Sequence, residues 1–293
     1  MIAQKVRFRL LDAIIVVALL GLAGWVYYRI AYGIEYKANW GVIPQYLLRR
    51  DGATGRLVAN YLVEGLLTTL RLSVWSTLLA MLVGVLVALS RTSSSLFWRL
   101  VGGAYVETIR NLPPLVLIFI FYYFVIDQLM PLLGLDALLS SRSMGALRAI
   151  AWLFADPSLL TQLISGVITL AFFQGAYISE ILRAGILSIE RGQREAAWSL
   201  GLSKLDTMRF VIMPQVVRRV LPALANEFVN TIKYSSIASV VSIQELTFMG
   251  RQVVVATRAI FETWITVSLM YMTLTLTLSL FTSRLEQRLR ARD

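Results

Sequence analysis

The sequence predicts an all-α polytopic membrane protein with about six transmembrane helices. Three observations carry this. Apolar residues make up 57% of the 293 and charged residues only 15%, too little charge for a soluble surface and too much apolar content for one soluble core. The apolar residues gather in runs of roughly 20, the length a helix rising about 1.5 Å per residue needs to cross a bilayer. Lys and Arg crowd the connections that would lie on one face of that bilayer.

The first run, Leu11 to Ile30, follows the basic Lys5, Arg7 and Arg9. That start is similar to a signal peptide, but the run is longer than a signal core and no small-residue cleavage site follows, so it reads as a retained anchor. The second run is Gly65 to Leu89. The third, Leu112 to Met130, opens with Pro113 and Pro114, where a helix tolerates proline. The fourth is Leu159 to Leu182. The fifth, Val220 to Val241, is the most polar, and the sixth is Thr263 to Phe281. Gly84 and its small neighbours suit close helix packing. Gly102-Gly103 suits a hinge before the third run. Trp25, Tyr27, Tyr28 and Trp40 suit an interfacial belt.

The connections holding Lys5 to Arg9, Arg91 to Arg110, Arg183 to Arg219 and Arg284 to Arg292 carry about twice the Lys and Arg of the others. Both termini and the segment 188–214 therefore face the cytoplasm. The segments Glu35 to Asn60 and Pro131 to Pro157 are the extracytoplasmic excursions. The net charge of +11 follows from the same bias and does not call for nucleic acid. The chain has no Cys and no His. That removes thiolate chemistry, imidazole metal ligands and imidazole proton shuttles. No carboxylate pair has a hydrolase context, and no Gly-rich loop ends in the Lys and Ser/Thr that cradle phosphates. The sequence thus predicts no catalytic residues, no bound metal and no ATPase site of its own.

The most informative segment is SIERGQREAAWSLGLSKLDTMRFVIMP, Ser188 to Pro214. Gly185 and Gly192 could break the chain on either side of the apolar turn Ile186 to Ile189. Glu190, Arg191, Gln193, Arg194 and Glu195 can pair at i,i+3 and i,i+4 on an exposed helix. Ala196 and Ala197 are short enough to let another surface approach. Gly201 suits a helix C-terminus with positive φ. Ser203 suits an N-cap, with Asp206 three residues on. Pro214 would limit the second short helix. Taken alone, this is an amphipathic connector between spans.

The spacing of that segment resembles the EAA loop of importer-type ABC transporter permeases, a cytoplasmic helix-turn-helix. There Glu-Ala-Ala is followed by three residues, Gly, nine residues, Ile, any residue and Leu-Pro. Glu195-Ala196-Ala197, Gly201 and Val211 to Pro214 match it, with Val for Ile and Met for Leu. Further elements narrow the resemblance: GLLTTLRLS (Gly65 to Ser73), YVETIRNLPPLV (Tyr105 to Val116), MPQVVRRVLPALANEFVNTIKYSSIASVVSIQEL (Met213 to Leu246) and LEQRL (Leu285 to Leu289). Arg110, Asn111 and Pro113 match an Arg-Asn-x-Pro element, with Pro114 where many relatives have Leu. Together these look like the polar amino acid branch, which carries His-, Arg-, Gln- and Glu-type solutes.

The resemblance implies a five-helix permease domain at 61–293, preceded at 1–60 by an extra anchor helix and an extracytoplasmic loop. It implies a multi-pass subunit of the bacterial cytoplasmic membrane, paired with a second permease copy or a similar chain. ABC ATPase subunits would hold ATP and Mg, so this chain would bind no cofactor, and an extracytoplasmic binding protein would deliver the solute. Glu195 would meet the ATPase, supported by Gly192, Ala196, Ala197, Gly201 and Pro214.

Polar side chains at membrane depth usually face a bundle interior or a water-filled path. On the fifth run Asn226 and Asn230 share a face, as do Glu227 and Thr231, and Asn230 and Lys233 lie i,i+3. Glu227 could receive a solute's ammonium. Lys233, or a broken helix N-terminus near Tyr234 to Ser236, could receive its carboxylate. Equally, Glu227 could pair with Lys233 or Arg183, and Asn and Ser could simply join helices. Gln174, Tyr177 and Glu180 on the fourth run are second candidates. An ion-gradient-driven secondary transporter shares the composition but has no use for the loop. A permease for another small zwitterion, such as an opine, shares both.

Overall fold

The computed structural model describes residues 10–33, 36, 38–52, 55–134 and 143–290. The charges at Lys5, Arg7, Arg9, Lys37, Arg142 and Arg292 lie outside them. The chain forms two units, Met1–Trp40 and Gly41–Asp293.

In the first unit, α1 (Leu10–Gly33) is a single helix of 24 residues. It is apolar on all sides, the mark of a helix whose whole surface meets a nonpolar solvent. Trp25, Tyr27 and Tyr28 stand exposed in its last turns.

The second unit opens with α2 (Ile43–Leu47) and a short antiparallel hairpin, β1 (Leu48–Arg50) with β2 (Leu57–Ala59). It continues with α3 (Tyr61–Arg91), α4 (Leu96–Asn111), α5 (Pro114–Ile120), a π turn (Phe121–Ile126) and α6 (Asp127–Leu133). Next come α7 (Met144–Leu153), a 3-10 turn (Pro157–Leu159) and α8 (Leu160–Leu187). The chain ends with α9 (Arg191–Ser199), α10 (Lys204–Asp206), a π turn (Thr207–Ile212), α11 (Met213–Ser235), a 3-10 turn (Ser236–Val241), α12 (Leu246–Thr257) and α13 (Ile260–Arg290).

Helices α3 and α8 run parallel at the centre and share the largest interface. The buried face of α3 is built from small residues, Gly65, Thr69, Ser73, Ser76, Ala80, Gly84 and Ala88, one per turn. Small side chains bring backbones close where lipid offers no hydrophobic drive to associate. A Cβ on Gly84 would lie 2.6 Å from Ile178 Cγ2, so this glycine is a packing site, as expected.

Among the described residues, five segments are long and apolar enough to span: Asp12–Arg29, Tyr61–Arg91, Pro114–Leu132, Pro157–Leu187 and Ile260–Arg284. The fifth expected run is not among them. Its helix, α11, starts earlier and ends at Ser235, with Arg218, Arg219, Glu227 and Lys233 along it. It packs against α8, α13 and α3, which shield Glu227, Thr231 and Ser235 where lipid would not. Gly102 is not a hinge. It lies inside α4, where a Cβ would meet Ser90 Oγ at 2.3 Å, so it is a packing site too. The chain breaks instead between Asn111 and Pro114, and Pro114 begins α5 as expected.

Candidate coupling loop and polar seam

At one end of the bundle, α8 runs unbroken through Gly185 to Leu187. Gly185 does not break it but admits α11, since a Cβ there would sit 2.2 Å from Val220 Cγ1. Gly192 lies within α9 with open space around it, so it is not a break either. The α9 helix ends in a Schellman motif: Leu202 N–H donates to the Ala197 carbonyl at 3.1 Å and Gly201 N–H to that of Trp198 at 2.9 Å. Gly201 has φ +79°, a left-handed conformation that costs other residues about 1–2 kcal/mol.

Ser203 Oγ caps α10 by accepting from Asp206 N–H at 3.2 Å and donates to Asp206 Oδ2 at 2.6 Å. Pro214 does not stop the second helix. A π turn precedes it, and the wider turn takes away the carbonyl that its ring would strike, so the chain runs helically from Lys204 to Ser235.

The loop has two faces. Inward, Ile186, Ile189, Ile212, Val216 and Val220 form a buried cluster, and Ala197 is buried beneath α9. Three side chains lash this face to the bundle. Arg219 Nη1 donates to the Ser188 carbonyl at 2.6 Å, Arg194 Nη2 to the Ile186 carbonyl at 3.2 Å, and Gln215 Nε2 to Gln193 Oε1 at 3.3 Å. Arg194 thus turns to backbone instead of pairing along α9. Outward, Glu195 and Ala196 are exposed beside Trp198, Leu200, Leu205 and Phe210, with Leu200 82% exposed. A rigid knob showing large apolar side chains to solvent marks an interaction surface. The lash through Arg219 was invisible in the sequence, because its partner Ser188 is 31 residues away.

Just above the loop, Glu180 accepts from Arg91 and from Arg183, with Arg183 Nε at 3.2 Å. It is therefore held as an ion-paired joint between α3 and α8. Its stripe neighbours Gln174 and Tyr177 lie with α11 instead.

At mid-bundle, Gln174 Nε2 donates to Thr231 Oγ1 at 2.7 Å, and Thr231 donates to the Glu227 carbonyl at 2.9 Å. Asn230 Nδ2 donates to Glu227 Oε2 at 3.2 Å. Gln174 and Thr231 are fully buried and Glu227 is 8% exposed. The Gln174 Oε1 atom is buried without a partner, an acceptor left open. Phe173 packs on Tyr177 and Tyr234, and Arg110 lies over the Tyr177 ring at 5.7 Å.

Glu227 pairs with neither Lys233 nor Arg183. Lys233 and Asn226 are exposed, away from the seam. The break after Ser235 is a helix C-terminus, which presents carbonyls, so it cannot receive a carboxylate. The helix N-terminus nearby belongs to α12, and Glu245 fills it by accepting from Thr247 N–H at 3.0 Å and Phe248 N–H at 2.8 Å. Tyr271 on α13 donates to the same carboxylate at 2.5 Å, and burial pushes Glu245 up to about 7.

A helical bundle with a docking knob at one end and a polar seam at mid-depth defines a membrane transport subunit. Residues 80–291 match the family described as binding-protein-dependent transport system inner membrane component. The chain is 32% identical over 256 residues to the glutamine transport system permease protein GlnP of Escherichia coli strain K12, covering 87% of this chain and 98% of that one. It is 33% identical over 227 residues to the probable glutamine ABC transporter permease protein GlnM of Bacillus subtilis strain 168, covering 78% and 92%. A crystal structure of an amino acid ABC transporter with histidines superposes with TM-score 0.62 at 33% identity, over 78% of this chain and 94% of that one. The chain belongs to the binding-protein-dependent transport system inner membrane component family: it is a multi-pass ABC importer permease.

Proposed function

We propose that this chain carries a polar amino acid into the cell. The two-faced loop 188–214 is the observation that carries the reading. Its inner face is lashed to the bundle, so a push on Glu195, Ala196, Trp198 or Leu200 is transmitted to α8 and α11 as one body. An ATPase subunit, holding ATP and Mg, docks there on the cytoplasmic side, where both termini also lie. A second permease copy completes the path, and an extracytoplasmic binding protein delivers the solute.

Relatives named for glutamine support an amino acid as cargo. So does the seam, where the Glu227 carboxylate and the open Gln174 carbonyl suit an ammonium or amide donor. The test is uptake of labelled amino acids, L-glutamine first, into proteoliposomes holding the whole complex. Expected are dependence on internal ATP and loss of uptake in Glu195→Arg. Uptake that ignores ATP and follows an ion gradient would overturn the reading.

A further inference from the structure

At the end of the bundle away from the loop lies a polar cavity separate from the seam. It is an open cleft of about 560 Å³ between the first turns of α3, the start of α8 and the residue before Glu245. Glu64, Thr68 and Arg71 line it from α3, Asp156 and Ser158 from the turn before α8, and Gln244 from the third side. The volume falls in the range of small-molecule sites. The three α3 residues recur at i, i+4 and i+7, which puts them on one helix face.

The charges in this cleft make no ion pair among the described residues. Arg71 stands ten residues into a spanning helix, about 15 Å from its start. It is half-buried and makes no ion pair among the described residues. A guanidinium at that depth is disfavoured unless it faces water or a partner. The Glu64 carboxylate is exposed and makes no ion pair among the described residues, and Asp156, also exposed, caps the turn before α8 by accepting from Ser158 N–H at 3.2 Å and Ser158 Oγ at 2.9 Å. The wall is rigid. One turn below Arg71, Trp75 stacks on Phe154 at 4.4 Å, and its Nε1 donates to the Leu153 carbonyl at 3.1 Å.

We infer that this cleft is a reception site for the zwitterionic head of an α-amino acid, separate from the seam. Arg71 takes the carboxylate through its two-pronged donors, and Glu64 with Asp156 takes the ammonium. One cation and two anions leave room for a solute with an added positive charge. The inference rests on the amino acid importer reading and adds a second stop on the path.

The natural lack of cysteine provides the experiment. Thr68→Cys in the complete complex, with Glu227→Gln to remove the seam carboxylate, puts a single thiol of this chain in the cleft. Its rate of modification by a charged methanethiosulfonate is measured against L-glutamine concentration. Saturating L-glutamine is expected to slow labelling roughly tenfold, whereas the carboxyl-amidated and N-acetylated forms do not. Adding Arg71→Gln abolishes the protection and Arg71→Lys restores part of it.

Absence of protection, or protection unchanged by Arg71→Gln, overturns the site. ATP-driven uptake of L-glutamine by the unsubstituted complex is measured in parallel. If uptake is present and protection absent, only this site fails. If no amino acid is taken up, the importer reading fails with it.

Discussion

Two acids on neighbouring helices, Glu180 on α8 and Glu227 on α11, look alike in the sequence and differ in the fold. Glu180, at the loop end, is held by Arg91 and Arg183. Glu227, at mid-bundle, has neutral side-chain amides beside its carboxylate, those of Asn230 and Gln174. A carboxylate between two guanidiniums is satisfied, and moving it would leave two part-buried cations without their partner. A buried carboxylate with neutral donors and no ion pair among the described residues is poised for a positively charged visitor. The loop end is thus built to transmit force without changing shape, and the middle is built to exchange partners.

The largest effect expected from disturbing the first region comes from Gly201→Asp. With φ at +79° and open space around Gly201, the substitution strains the backbone without a clash. The knob is displaced and the protein still inserts. ATP-driven uptake should fall by at least about tenfold, with permease abundance in the membrane unchanged.

Next is Glu227→Gln, which should raise the uptake KM by roughly tenfold or more without lowering thermal stability, since it neutralises an unpaired buried group. A drop in stability equal to that of Glu180→Gln would erase the contrast and make both acids structural. Glu180→Gln should instead destabilise by about 1.5–3 kcal/mol, the range for hydrogen bonds to charged groups. Thermal unfolding in detergent reads it, and the KM per folded complex should stay the same.

The smallest effect concerns Glu245. Its carboxyl is raised to about 7 in the fold from an ordinary 4.5, so the folded state binds a proton that the unfolded state releases. Its contribution to stability is complete below about pH 4.5 and is lost as pH rises through about 7. Melting temperature should decline across that window, and Glu245→Gln should flatten the decline.

The loop was legible in the sequence because its determinants are local. Gly201 needs a left-handed turn, Ser203 caps the next helix within three residues, and Glu195 to Ala197 lie at fixed spacing from both. The breaks assigned to Gly185 and Pro214 failed for a common reason, while Gly192 sits inside α9 with open space around it. A glycine in a helix can serve a neighbour's approach, and a proline can be absorbed by a π turn, and neither is visible in one strand of sequence.

Composition and run length alone determined that this protein is helical and lives in a bilayer, since every backbone amide in lipid needs an internal partner and an unbroken run of about 20 apolar residues meets that demand as a helix, a barrel strand being about half as long. Which polar residues meet was decided by the tertiary structure. Gln174 finds Thr231 across 57 residues and Arg91 finds Glu180 across 89, while Lys233, within two helical turns of Glu227, points away. Pairing at membrane depth depends on which helix faces which, and that is set by small-residue packing along α3 and α8.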